Sequence, residues 1–152
     1  MKWQSDVYPQ ETQVIIDQDL PTALSIKDYV DVDFEISGCP INTAQILQAI
    51  RQLLFGVEPE KVVDPVCTTC KHAGVACVMV TKGEPCLGPI TADGCDAICP
   101  KLGRACYGCY GESKHANVKA MTRKLEELGL SEKQIQDKYR FINSQSEIFK
   151  GQ

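Results

Sequence analysis

Hydrophobic and acidic residues alternate between positions 30 and 36 of the chain. Alternation with a period of two is typical of a β-strand that buries one face and exposes the other. The apolar positions are Val30, Val32, Phe34 and Ile36, and the acidic positions between them are Asp31, Asp33 and Glu35. The pattern predicts a half-buried strand whose carboxyl end is followed by a Ser-Gly-Cys-Pro turn carrying Cys39, at the place where open α/β sheets hold ligands.

A helix is predicted directly after this turn. Asn42 can cap its first turn, and Gly56 suits the position after its last residue. One face of the helix is apolar and consists of Ile46, Leu47, Ile50, Leu53 and Leu54. Strand, loop and helix together predict an α/β unit within residues 1–56.

Two more helices are predicted beyond Gly111. Apolar residues at helical spacing mark the first, which Gly129 ends; they are Val118, Met121, Leu125 and Leu128. Ser131 and Gln134 form a capping box for the second, and its apolar face consists of Ile135, Tyr139 and Ile142. We expect both apolar faces to pack in a core and the charged faces to be solvated.

The segment between these helical parts has a different composition. Residues 56–112 hold eight of the 11 glycines and five of the 8 prolines, and they show no sustained periodicity. A structureless loop of this length argues against a compact domain unless something other than apolar burial holds it. Eight of the 9 cysteines fall in this segment, between residues 67 and 109.

Charge and length exclude several classes of function. The chain has 152 residues, enough for one ordinary domain, and a net charge of −4, which is the wrong sign for binding phosphate backbones. No apolar run is long enough to span a bilayer, and the polar start lacks the layout of a signal peptide. We therefore expect a cytoplasmic protein with no nucleic-acid partner and no membrane span.

The spacing of the cysteines divides them into two groups of four. Four thiolates can hold a tetrahedral metal ion or a cubane iron-sulfur cluster. Glycines flank the cysteines and would let the backbone wrap a bulky, negatively charged cluster, and Cys99 is followed by Pro100 as in bacterial ferredoxin runs. The first group is Cys67, Cys70, Cys77 and Cys86; the second is Cys95, Cys99, Cys106 and Cys109.

Other interpretations of the cysteines stay open at this point. The two CxxC pairs, Cys67 with Cys70 and Cys106 with Cys109, could together hold one zinc ion. Disulfides are a weaker alternative because an odd number of cysteines cannot pair completely within one chain. No hydrolytic motif, P-loop or GxGxxG is present, and His72 and His115 lie in polar contexts that predict solvent exposure. We therefore predict no catalytic residue.

The sequence resembles the small, electron-transferring subunit of nickel-iron hydrogenases. The likeness is to its carboxyl-terminal half, in the cytoplasmic branch of coenzyme-F420-reducing, non-reducing and sulfhydrogenase-like enzymes. It runs from about residue 29 to the end, through the segments VDVDFEISGCPI, PCLGPITADGC and GRACYGCYG and the closing RFINSQSEIF. The fold it implies is a strand-loop-helix remnant of a flavodoxin-like α/β domain (residues 1–56), an irregular, cysteine-rich iron-sulfur domain (57–112) and carboxyl-terminal α-helices (113–152).

The resemblance also implies a ligand set. The first group of cysteines would bind the distal 4Fe-4S cluster and the second the medial one, and Cys39 would be the last ligand of the proximal cluster. Some relatives replace a distal cysteine by histidine and a medial one by proline. All eight positions are cysteine here, which implies two 4Fe-4S clusters on this chain.

An absence qualifies this picture. Relatives precede this region with a flavodoxin-like domain that carries the other proximal ligands, and no cysteine precedes Cys39 here. Either the chain is partial, or a second chain supplies the missing domain, or the proximal cluster has been lost. On the first two alternatives a third, proximal 4Fe-4S cluster would be shared through Cys39.

The resemblance implies partners as well as cofactors. They are the large nickel-iron subunit, the chain or domain supplying the other proximal cysteines, and a flavoprotein or iron-sulfur acceptor subunit. Lys82 and Arg104, which lie between ligands, are candidates for tuning cluster potentials, with plain surface cations as the alternative, and Tyr107 is expected to shield a cluster rather than to carry electrons. The competing hypotheses are a zinc-stapled interaction module and a free-standing ferredoxin-type carrier.

Overall fold

The computed structural model describes residues 25–60, 62–143 and 146. The chain divides into two compact units, residues 1–33 and 34–152. The described part of the first unit contains one 3₁₀ turn, Ile26–Asp28. The Ser25 backbone N–H donates to the Asp28 carboxylate over 2.8 Å and so caps this turn. Residues 1–24 of the predicted α/β remnant lie outside the described residues, and the predicted boundaries at 56 and 112 stay predictions.

The described part of the second unit is built from helices. In chain order they are α1 (Thr43–Leu54), α2 (Val66–His72), α3 (Val78–Thr81), α4 (Ile98–Lys101), α5 (Val118–Glu127) and α6 (Glu132–Asn143), with a 3₁₀ turn at Gly88–Ile90 between α3 and α4. Over the ranges described, β pairing is limited to two isolated antiparallel bridges, Pro65 with Ala92 and Thr91 with Glu112. None of the helices in these ranges has the length and hydrophobicity that a membrane crossing requires.

The strand predicted over residues 30–36 is not formed. These residues contain a bend and irregular backbone, with no β-ladder. An alternating pattern produces a strand only when a second strand accepts its backbone hydrogen bonds, and the described residues offer none beside it. The strand prediction is therefore wrong for this structure, while the kinship of the region to a flavodoxin-like domain stays a prediction.

Helix α1 forms as predicted, but its apolar face is not buried. Asn42 caps it, since its Oδ1 accepts a hydrogen bond from the Ala44 N–H at 2.9 Å, and Gly56 after its end has a φ of 69°. Its buried residue is Ala49. The exposed face includes Leu47, Ile50, Leu53 and Leu54, of which Leu54 is 80% exposed. Burial against the described residues does not explain the hydrophobicity of this face.

Helices α5 and α6 form the predicted core, but the prediction is wrong for Ile142, which lies in the last turn of α6 and is exposed. The capping box is present, because the Ser131 N–H donates to the Gln134 Oε1 at 2.9 Å and the Gln134 N–H to the Ser131 Oγ at 3.4 Å. The core cluster joins both helices to the 3₁₀ turn of the cysteine-rich segment and consists of Leu87, Ile90, Val118, Met121, Leu125, Ile135 and Tyr139. The carboxyl-terminal helices therefore support the segment that carries the cysteines.

A second, smaller core lies within the cysteine-rich segment. It consists of Val66, Val78, Cys86, Ala97, Ala105 and Cys106. Most of these side chains are small, so the apolar area that they bury is modest. Backbone hydrogen bonds between distant parts of the segment supplement it, such as Val66 N–H to Thr91 C=O at 2.9 Å and Leu87 N–H to Cys106 C=O at 3.1 Å.

Candidate metal centre

The first group of cysteines is placed by two short helices. Cys67 and Cys70 lie one turn apart on α2, and residues three apart on a helix are neighbours on its surface. Cys77 occupies the N-cap of α3, and Cys86 is buried in the small core. Three members of the first group therefore lie on, or at the start of, short helices, and the fourth lies in the small core.

Electrostatic interactions show that these sulfurs are close together. Burial, together with the thiolate charges of Cys86, Cys70 and Cys77, raises the pKa of the Cys67 thiol to about 11. Burial also raises the pKa of Cys70, again with contributions from Cys86 and Cys77. The three thiols that act most strongly on Cys67 are the other members of its predicted group.

Gly88 marks the space between two of these sulfurs. A Cβ added to this buried glycine would lie 3.3 Å from the Sγ of Cys67 and 3.5 Å from the Sγ of Cys86. Both sulfurs therefore face one small volume that a side chain would fill. This space beside the two sulfurs would accommodate part of a bulky group that they bind.

The second group comes from the loop before α4, from α4 itself and from the loop that follows it. Cys99 lies on α4, whose entry is made by Asp96 and Ala97 with positive φ angles of 55° and 52°. Few residues other than glycine adopt this left-handed region, and such conformations often accompany functional sites. Cys106 is buried, and Cys95 and Cys109 are partly buried.

The thiols of the second group also influence one another. Burial raises the pKa of Cys99, and the charge of Cys95 raises it further while Arg104 lowers it. The pKa of Cys109 is raised by burial first, and the charges of Cys95 and Cys99 add to this. The pKa of Cys106 is raised to about 12, chiefly by burial; hydrogen bonding from the Gly108 backbone lowers it, and the charges of Cys86 and, less strongly, Cys109 raise it. Thiols of the second group therefore act on one another, and Cys86 of the first group acts on them too; the partition into two groups of four stays a prediction.

The two groups adjoin through Cys86 and Cys106. The Cys106 backbone N–H donates a hydrogen bond to the Sγ of Cys86 at 3.1 Å. The charge of Cys86 also raises the pKa of both Cys99 and Cys106. A member of the first group thus lies against the second, so groups bound at the two sites would be near neighbours.

Cys39 lies beside the second group, a contact that spacing along the chain did not predict. Its backbone N–H hydrogen-bonds to the Cys109 thiol and lowers the pKa of that thiol against the larger effect of burial. The Cys39 side chain is exposed. Tyr110 anchors the turn, because its hydroxyl donates to the Pro40 carbonyl at 3.2 Å. Cys39 is therefore held at the edge of the second group with its sulfur accessible from outside.

Other predicted residues are placed as follows. Both histidines are exposed, as predicted. The Lys82 Nζ donates to the Gly103 carbonyl at 2.6 Å, which ties α3 to the loop before Arg104. The Tyr107 ring packs against Phe141 of α6 at a centroid distance of 6.2 Å.

The sequence analysis did not single out Lys71. Its charge lowers the pKa of Cys67 and Cys70, against the larger effect of burial, and its position directly after Cys70 could have indicated this role.

The buried and mutually interacting thiols of this segment suit a soft metal bound through thiolates. Metal binding requires deprotonated thiols, and burial beside like charges makes deprotonation costly unless a cation compensates for it. Among the described residues, no three His, Cys, Asp or Glu side chains converge so as to hold a single metal ion. In a cubane each of the four irons takes one thiolate, so its four sulfurs lie further apart than the ligands of a single ion.

Comparisons with known proteins agree with the predicted resemblance. The chain is 43% identical over 115 residues to the delta subunit of sulfhydrogenase 2 from Pyrococcus furiosus, a match that covers 76% of this chain and 48% of the relative. It is 36% identical over 106 residues to the G subunit of the vhu F420-non-reducing hydrogenase of Methanocaldococcus jannaschii, covering 58% and 36% of the two chains.

A more distant relative is the iron-sulfur protein of the F420-non-reducing hydrogenase from Archaeoglobus profundus, which is also a G subunit. It is 25% identical over 129 residues, which covers 66% of this chain and 40% of the relative. No protein-family model matches the sequence. The chain spans about half the length, or less, of these curated relatives. These matches confirm the predicted resemblance: the chain is related to the delta subunit of a sulfhydrogenase and to G subunits of F420-non-reducing hydrogenases.

Proposed function

We propose that this chain is an electron-transfer iron-sulfur subunit of a nickel-iron hydrogenase complex. The observation that carries the proposal is that thiols of each predicted group raise one another's pKa, while the Cys106 N–H donates a hydrogen bond to the Cys86 sulfur. The first group would hold the distal 4Fe-4S cluster and the second the medial one. When bound, such clusters accept and release single electrons.

The residues of the chain would position the clusters and set their surroundings. The thiols of each group would be the ligands, and the small core around Cys86 and Cys106 would exclude water. Positive charges beside the sulfurs would favour thiolate: Lys71 acts on the first group and Arg104 on the second. The N–H of Cys106 would stabilise negative charge on the Cys86 sulfur. None of these groups breaks a bond in a substrate.

The exposed parts of the chain indicate where a partner would bind. Cys39 would be one ligand of a proximal 4Fe-4S cluster whose remaining thiolates come from another chain or domain. Helix α1, which follows Cys39, exposes an apolar face where that polypeptide would pack. The large nickel-iron subunit would lie beyond the proximal cluster, and a flavoprotein or iron-sulfur acceptor subunit would take electrons from the distal end.

Metal analysis of anaerobically purified chain tests this proposal. We expect about eight iron and about eight acid-labile sulfide per chain, with brown colour, because each group of four thiols would hold one cubane. Colourless, folded protein with about two zinc ions would contradict the proposal and support the zinc-stapled module. Stable, isolated protein with full iron content and no affinity for a hydrogenase large subunit would support the ferredoxin-type carrier.

Gly88 provides a more local test of the first site. In Gly88→Ala the new methyl would fall between the sulfurs of Cys67 and Cys86, so we expect up to half of the iron to be lost, all of it from the first site. Gly83→Ala is the control: it imposes strain at a positive φ of 67°, but nothing lies within 4 Å of its added Cβ. Equal iron retention by the two variants would show that the volume beside Gly88 is not the cradle of a cluster.

A further inference from the structure

A lysine of the last helix approaches the cysteine-rich segment. Lys138 lies on α6, and its Nζ is 5.8 Å from the centroid of the Tyr107 ring, the residue next to Cys106. Two other contacts fix this part of α6: Phe141 packs against Tyr107, and the Asn143 side chain donates a hydrogen bond to the Gly108 carbonyl. The ammonium is therefore held near the sulfurs by the packing of α6 on this loop.

The charges around Lys138 belong to both groups of cysteines. Burial lowers its pKa, whereas the negative charges of Cys86, Cys106 and Glu84 raise it. Cys86 belongs to the first group and Cys106 to the second, and a hydrogen bond joins them. Lys71 and Arg104 differ from Lys138, because each interacts electrostatically with cysteines of one group: Lys71 with Cys67 and Cys70, and Arg104 with Cys99. Lys138 lies where the two groups meet.

We propose that the Lys138 ammonium is a shared potential-tuning charge that stabilises the reduced form of both clusters. This inference rests on the proposed function, because it requires clusters at both sites. Each cluster gains one electron on reduction, and no bond forms or breaks. The added negative charge is attracted by a fixed cation nearby, and partial burial weakens solvent screening of that attraction. Removing the cation should therefore lower both reduction potentials.

A redox titration of the anaerobically purified full chain at a mediated electrode, followed by electron paramagnetic resonance, tests the proposal. At a fixed applied potential, we expect Lys138→Gln to lower the reduced-to-oxidised ratio of both cluster signals about threefold to tenfold, where tenfold corresponds to about 59 mV for a one-electron couple. Lys138→Arg keeps the charge and should keep both ratios near those of the unmodified chain. Lys133→Gln removes the same charge from the exposed start of the same helix and should change neither.

Three results would overturn the inference. They are unchanged ratios in Lys138→Gln, equal shifts in Lys133→Gln, or a shift of one cluster signal alone. If the Lys138→Gln chain does not bind clusters, Lys138→Met is measured instead, because its apolar side chain can still pack against Tyr107. Unchanged reduced-to-oxidised ratios in Lys138→Met would likewise contradict the proposed role. Failure of the proposed function is distinguishable, because the unmodified chain would then contain neither iron nor sulfide.

Discussion

Removal of iron from this chain is expected to unfold the cysteine-rich segment before the carboxyl-terminal helices. Binding free energies of thiolate metal sites are of the order of 10 kcal/mol and contribute directly to folding. The small core of this segment includes two of the proposed ligands, and its other side chains bury little area. Helices α5 and α6 instead share a larger apolar core that contains no cysteine. Loss of iron should therefore affect the two regions unequally.

Hydrogen exchange before and after anaerobic chelation measures this difference. We expect backbone amides of residues 62–112 to lose protection by orders of magnitude, and amides of α5 and α6 to lose much less. Unchanged protection of residues 62–112 in iron-free chain would show that burial alone holds the segment, and the structural role of the clusters would be wrong. The amides of Leu87 and Ile90 are informative, because these residues join the helical core.

Substitution of single cysteines should remove the two clusters one at a time. In Cys99→Ala we expect loss of the second cluster or its conversion to a 3Fe-4S form, with the first cluster unchanged, because the thiols nearest Cys99 include Cys95 of its own group. Cys67→Ala should produce the converse result. Iron content would fall by about half when one cubane of two is lost.

Cys39→Ala is the matched control for these variants. Its sulfur is exposed and stands outside both groups of four, so iron on the isolated chain should stay unchanged. Equal loss of both signals in Cys99→Ala would contradict the partition into independent fours, and an exchange of one ligand between the sites would be the next model. Loss of the second cluster in Cys39→Ala would make Cys39 a ligand of that site.

Local sequence signals predicted the parts of the fold that depend on local interactions. Helix α1 with its Asn42 cap, the Ser131–Gln134 capping box and the buried positions of α5 and α6 all follow from side chains within one or two helical turns. The proximity of Cys67 and Cys70 was also predictable, because residues three apart along the chain lie one turn apart on the helix that carries them.

Features that depend on distant parts of the chain could not be predicted in this way. The alternation over residues 30–36 specifies a strand only where a neighbouring strand exists. The apolar stripe of α1 predicts a packing face, but it does not identify the polypeptide that covers it. The backbone hydrogen bond of Cys39 to Cys109 and the electrostatic interactions of Lys138 with Cys86 and Cys106 join residues far apart in sequence, so only the tertiary structure reveals them.

X-ray diffraction at the iron absorption edge, from crystals of the anaerobically prepared protein in its complex, tests the central claim most directly. Anomalous scattering should show two separate groups of iron on this chain. One should be enclosed by Cys67, Cys70, Cys77 and Cys86, and the other by Cys95, Cys99, Cys106 and Cys109. A well-folded chain with no iron scattering at these sulfurs, or with scattering from single zinc ions instead, would contradict the account.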